Sequence, residues 1–233
     1  LGKEVIIVDA NFSTPNIGIH LGSPIVPITI NHVMANKAKP EEAIYEHESG
    51  TKILPASLSL SELKKVKYER LKDITKRLSK IAEHILLDSA AGLGLETTSA
   101  IRAADTVIII ANPEMASITD ALKAIKISEQ MKTPIHGVII TRHTGNKEEM
   151  DIETIKDMLE VPILGVIPED RNIKRSQSLK NPIIYTHPKS KASQAYHKTA
   201  RRILGPEYFK EQAEKIAGTG ESIFKRLMRK MGF

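Results

Sequence analysis

Two aspartates follow short apolar runs: Asp9 comes after residues 5–8 and Asp88 after residues 85–87. An acid at the C-terminal end of a buried parallel strand faces the crevice where open α/β sheets bind their ligands. There it can hold Mg²⁺ directly or through water, the arrangement that phosphoryl transfer needs. Taken singly, a strand-terminal aspartate serves equally well as the cap of a following helix or turn.

The elements that would position these acids are legible as a pattern. Near-continuous Val/Ile/Leu runs at 5–8, 85–87, 107–111, 137–140 and 163–167 suit parallel strands covered on both faces. Helical patterns over 61–83, 97–103, 115–131, 147–159 and 190–204 lie between or after them. Such alternation implies a doubly wound, mostly parallel α/β sheet with helices on both faces. Right-handed crossovers then bring the C-terminal ends of all parallel strands to one edge. Short runs at 52–54 and 183–185 offer two further strands, and Gly218-Thr219-Gly220 reads as a flexible joint. The expected division is a nucleotide-binding domain over 1–204, a helix and linker over 205–220, and a C-terminal amphipathic helix over 221–233.

Composition narrows the chemistry. The 233 residues contain no cysteine, which excludes disulfides, thiolate metal sites and cysteine catalysis from this sequence. A cytoplasmic setting is the simplest reading, and no apolar run approaches the roughly 20 residues that cross a bilayer. The net charge of +6 is clustered. Residues 171–206 hold nine Lys or Arg and no acid, and residues 221–233 hold four basic residues against one acid. Such clusters favour an anionic partner, either lipid or nucleic acid, although the middle stretch is equally well read as a solvated basic face.

The last segment separates cleanly by face. At roughly 100° per residue, Ile223, Phe224, Leu227, Met228 and Met231 fall on one side, and Lys225, Arg226, Arg229 and Lys230 on the other. This is the pattern of an interfacial helix on an anionic membrane surface. Each basic residue contributes about 1 kcal/mol near such a leaflet. A segment this short is marginal as an isolated helix. One copy should therefore bind weakly and two copies, in a dimer, much more tightly.

With Val8-Asp9-Ala10-Asn11, then Leu87-Asp88-Ser89-Ala90-Ala91-Gly92, then Asn112-Pro113-Glu114 in this order, the chain resembles the MinD/ParA family of deviant Walker A ATPases. Val8-Asp9-Ala10-Asn11, with Asn16-Ile17-Gly18 and Leu21-Gly22, is similar to the family's switch I. His84-Ile85-Leu86-Leu87-Asp88-Ser89-Ala90-Ala91-Gly92 is similar to its Walker B strand and switch II. Asn112-Pro113-Glu114, the run Leu164-Gly165-Val166-Ile167-Pro168-Glu169-Asp170, and Ala195-Tyr196 follow in family order, so the resemblance spans nearly the whole chain. It implies an ATP-dependent homodimeric switch, cytoplasmic and peripheral on the inner face of the cell membrane. ATP and Mg²⁺ would be its cofactors and an unidentified regulatory protein its partner; Asp120 would lie where such proteins meet partners or each other, and reads equally as an ordinary exposed acid. By the same resemblance Asp88 would orient the Mg²⁺ shell, and Asp9 would support the metal or the phosphate-side network. Pro168, Glu169 and Asp170 would lie along the adenine.

Three departures qualify that expectation. The family's glycine-rich, two-lysine loop should precede Gly2, and no Gly-x-x-x-x-Gly-Lys-Ser/Thr occurs in the 233 residues. Since Leu1 is not an initiator Met, a fragment is expected, one that binds ATP poorly and does not hydrolyse it. Asn11 stands where the family commonly has an aspartate that positions the attacking water. Thr141-Arg142 stands where family members usually place an adenine-reading asparagine, which makes Arg142 a candidate at the base. Two other functions stay open: a ParA-like ATPase that binds DNA through the basic stretch, and a non-hydrolysing membrane scaffold.

Overall fold

The computed structural model describes residues 1–217, with side chains through 205; the joint at 218–220 and the amphipathic segment 221–233 lie outside the described residues. Seven strands are present among them: β1 (Val5–Ala10), β2 (Tyr45–Glu46), β3 (Lys52–Leu54), β4 (His84–Ser89), β5 (Val107–Ala111), β6 (Ile135–His143) and β7 (Ile163–Pro168). Between β1 and β4 come α1 (Ile17–His20), α2 (Ile30–Met34), α3 (Leu60–Leu63) and α4 (Leu71–Leu78). Beyond β4 come α5 (Leu95–Ala103), α6 (Met115–Gln130), α7 (Ile152–Leu159), α8 (Arg171–Ser178), α9 (Ile183–Thr186) and α10 (Lys191–Ala217). Gly205, at φ 76°, breaks the helical path of α10. No helix among the described residues is long and apolar enough to cross a membrane.

Strand order is β2-β3-β1-β4 in one ladder and β5-β6-β7 in a second. Every pairing is parallel except β2 with β3. Alternation along β6 explains the layering. Val138 and Ile140 enter a cluster with Ile118, Ile125 and Ile155 of α6 and α7, whereas Ile139 enters another with Leu164, Ile167, Ile183 and Ala192. Successive side chains point to opposite faces, so helices cover both. On β1, Ile6 and Val8 pack with α2 and with Leu71, Ile74 and Leu78 of α4, the last three spaced to share one helical face.

This is the α/β class that the periodicity implies, with three local differences. The helix expected over 61–83 is broken into α3, a 3₁₀ turn at Tyr68–Arg70 and α4. The break lets the Arg70 guanidinium donate to the Val33 and Met34 carbonyls at 2.7 Å each, satisfying the end of α2. The helix expected from 147 starts at Ile152, because the Asp151 carboxylate accepts the Glu153 and Thr154 amides as an N-cap. Residues 183–185, expected as a strand, form helix α9 instead. Pro182 supplies its N-cap, and the Ser193 hydroxyl bonds the Ile183 and His187 carbonyls.

One close approach ties α10 to the β5-β6-β7 sheet. At Gly165 on β7 an added Cβ would sit 2.8 Å from Thr199 Cβ, and Thr199 is itself buried on α10. Gly165→Ala is therefore expected to lower stability by about 1–3 kcal/mol, read as an earlier urea midpoint. An unchanged midpoint would mean that α10 yields freely.

Among the described residues the hydrogen-bonded ladder stops between β4 and β5, each of which keeps one unpaired edge. Leu86 in mid-β4 is 50% exposed and Ile110 in mid-β5 is 59% exposed. Apolar residues at the middle of parallel strands are normally covered on both faces.

Candidate functional site

The register of β1 and β4 sets Asp9 directly beside Asp88. In-register residues of parallel neighbours share a face, on strands about 4.8 Å apart. The two carboxylates have different surroundings. Asp9 is fully buried; its Oδ1 accepts the Asn11 amide at 3.2 Å, and its Oδ2 accepts those of Asn16 and Ile17 at 3.2 Å each. It thus ties down the loop after β1 and caps the start of α1. Burial pushes its carboxyl up to about 6, with the amides of Ile17 and Asn11 pulling the other way and the Asp88 charge adding to the rise. Asp88 is open to solvent and makes no hydrogen bond or ion pair among the described residues. Desolvation by the surrounding sheet raises its carboxyl, and nearby His20 opposes that.

Asn11 is held locally, its Oδ1 accepting the Thr14 amide at 3.3 Å and the Thr14 hydroxyl at 2.9 Å. At the ends of the other strands, the Thr141 hydroxyl donates to Asn112 Oδ1 at 2.9 Å. Arg142, in the left-handed region at φ 58°, reaches Glu169 with Nε 3.3 Å from Oε2. Pro168 ends β7, and the Glu169 amide donates to the His143 carbonyl. Asp170 is occupied as a cap: its carboxylate accepts the Asn172 amide at 2.9 Å and the Ala192 amide at 3.3 Å. The Asn172 amide holds its carboxyl below the usual range. Arg142, Glu169 and Asp170 therefore gather at the β6–β7 end, and Asp9, Asn11 and Asp88 at the β1–β4 end.

Among the described residues no group of three or more His, Asp or Glu could hold a metal unaided. Magnesium commonly takes one or two carboxylates and completes its shell with water and phosphate oxygens. One unengaged carboxylate, Asp88, beside one engaged carboxylate, Asp9, fits a Mg²⁺ shared with a nucleotide and does not fit a free-standing ion. Sequence reading missed the interactions of Glu96 and Tyr68 behind the Asp9 loop. An acid in a helix's first turn ordinarily signals only the helix dipole, so its type and position carried no warning.

A mostly parallel α/β fold with paired acids at its strand ends defines a nucleotide-binding class, and comparison with known proteins makes it specific. Residues 82–204 match the ParA family model, described as NUBPL iron-transfer P-loop NTPase. An uncharacterized ATP-binding protein of Methanocaldococcus jannaschii is 36% identical over 207 residues, covering 89% of this chain and 78% of the relative. The septum site-determining protein MinD complexed with Mg-ADP from Pyrococcus horikoshii superposes with a TM-score of 0.81 at 32% identity, covering 85% of this chain and 82% of that one. MinD in the MinC:MinD cell division protein complex of Aquifex aeolicus gives 0.78 at 29% identity, covering 88% and 84%. The chain belongs to the ParA/MinD family of P-loop NTPases.

Proposed function

We propose that this protein is a MinD-like, ATP- and Mg²⁺-dependent switch that dimerises on ATP and resides on a membrane while dimeric. The observation that carries it is the in-register pairing of Asp9 with Asp88 at the end of β1 and β4. In this reading Asp88 anchors the water shell of a Mg²⁺ whose charge offsets that of the phosphates. Asp9 fixes the loop that carries Asn11, and Asn11 orients a water through its amide rather than by taking a proton. Pro168, Glu169 and Arg142 border the base, while Asp170 contributes by shaping the β7–α8 turn. The exposed edges of β4 and β5 support one further parallel strand between them, ending in the glycine-rich, two-lysine loop that cradles phosphates. Iron–sulfur chemistry of the thiolate kind has no ligand in these 233 residues.

The test of the nucleotide reading is Asp88→Ala in a chain that binds ATP. Loss of the Mg²⁺-dependent part of affinity is expected, and unchanged Mg²⁺ dependence would sink the role. For the membrane reading, removing residues 221–233 should cut cosedimentation with phosphatidylglycerol-containing vesicles at least about tenfold. Equal binding by the intact protein with ADP and ATP would overturn control by nucleotide.

A second reading has its own observation. Arg171, Lys174 and Arg175 of α8 and Lys198, Arg201 and Arg202 of α10 are exposed. No acid occurs from residue 171 through 206, although Asp170 precedes Arg171, and this basic stretch suits non-specific DNA binding of the ParA kind, which would weaken steeply with salt. Gel shift on duplex DNA against vesicle sedimentation separates the two.

A further inference from the structure

Behind the loop after Asp9 lies a buried carboxylate that the proposed chemistry leaves unused. Glu96, in the first turn of α5, is only 8% exposed. Its Oε1 accepts the Ser13 hydroxyl in a short hydrogen bond and the Tyr68 hydroxyl at 3.5 Å. Its Oε2 is buried with no hydrogen-bond partner among the described residues. The Tyr68 ring in turn meets Phe12 edge-on, centroids 5.6 Å apart and planes at 76°, and Phe12 is fully buried. Burial and the Glu96 charge both raise the Tyr68 hydroxyl, which keeps it a donor.

An acid near a helix start gains dipole stabilisation while remaining in water, so this burial is not required by capping. A buried carboxylate with one oxygen unsatisfied is uncommon and calls for a reason. Topology supplies one. Phe12 and Ser13 belong to the loop leaving Asp9, and Glu96 opens the helix that follows Asp88. Between Asp88 and Glu96 runs a mostly exposed segment containing Gly92 at φ +85°. The Asp9 loop is thus pinned by Asp9 itself and by Glu96, while the Asp88 loop is tied to the start of α5 by the Thr97 hydroxyl, which donates to the Ala90 carbonyl at 3.0 Å, and by the Thr98 amide and hydroxyl, which donate to the Gly94 carbonyl at 3.0 Å each.

We propose that Glu96 is a positioning residue that latches the loop after Asp9 to the helix after Asp88, so that a movement in one is passed to the other. The latch rests on the switch reading for its purpose, though not for its existence. Its half-satisfied carboxylate makes it releasable, since the free oxygen can take over a donor as Ser13 leaves.

Amide hydrogen exchange on the full chain tests this. Glu96→Ala should speed exchange at residues 12–17 at least tenfold and leave the amides of β6 and β7 unchanged. Glu96→Gln, which keeps an acceptor for both hydroxyls, should restore most of the protection. Ser13→Ala combined with Glu96→Ala should add little to Glu96→Ala alone. Unchanged exchange at 12–17, or a rise spread evenly over β6 and β7, would overturn the latch. Adding Mg²⁺ and ATP separates the two ideas. If the chain extended by the glycine-rich loop shows no change in protection at either loop, the nucleotide reading fails, while the latch is still decided by the nucleotide-free comparison.

Discussion

The 233-residue chain, supplied with Mg²⁺ and ATP, is expected to show no turnover above background. The same chain extended at its start by an apolar strand, a glycine-rich two-lysine loop and a helix is expected to exceed it by at least about a thousandfold. The reasoning begins with Leu86 and Ile110, half-exposed in mid-strand on two strands with unpaired edges. Covering them with a paired strand would contribute about 1–2 kcal/mol for each side chain, besides a new ladder of backbone bonds. The loop at the end of that strand would emerge beside Asp88, whose carboxylate has no partner among the described residues. Backbone N–H groups and lysines there would supply the anion cradle that the described residues lack. An extension with both lysines replaced by alanine should raise the melting temperature as the native-like one does, yet leave turnover near background. Turnover by the unextended chain, or an extension that fails to stabilise, would refute the placement.

The strands were the most legible part of the fold because their signal is local. Five apolar runs of branched residues stood out, and two of them, paired in register, each end in an acid. Contacts distant in sequence were not legible. The break in the helical pattern after Leu63 is decided by Arg70 reaching the end of α2 and Tyr68 reaching Glu96, partners 28 or more residues away. Residues 183–185 looked like a strand because Ile-Ile-Tyr favours one, but no neighbouring strand edge receives them and Pro182 starts a helix. Asp170 was placed along the adenine by its motif, whereas its oxygens are engaged by the amides of Asn172 and Ala192. Motif order conveys which strand end a residue occupies; the direction of its hydrogen bonds depends on the helices packed above it.

A second large effect is expected from Asp9, and its sign follows from burial. The carboxyl titrates near 6 in the folded chain against 3.8 as the ordinary value. Below about pH 4 the group is protonated in both states, and its relative contribution to stability is fully present. Between about pH 4 and 6 the unfolded chain ionises this group while the folded chain keeps it protonated, so about 3 kcal/mol has been lost once pH passes 6. Asp9→Asn removes that titration. It also replaces an oxygen that accepts two amides, Asn16 and Ile17, with a donor, a loss of about 1–3 kcal/mol that does not vary with pH. Wild type should therefore be clearly the more stable at pH 4, with the gap closing or reversing by pH 7 in urea denaturation of the metal-free proteins. Other carboxylates titrate in both and cancel in the difference. A gap constant from pH 4 to 7 would show that Asp9 is not desolvated as its burial implies. Magnesium and nucleotide provide the functional counterpart: a cation held at Asp88 favours the ionised form of its neighbour and should flatten the slope. The carboxylate that destabilises the fold at neutral pH would then be stabilised by the ligand.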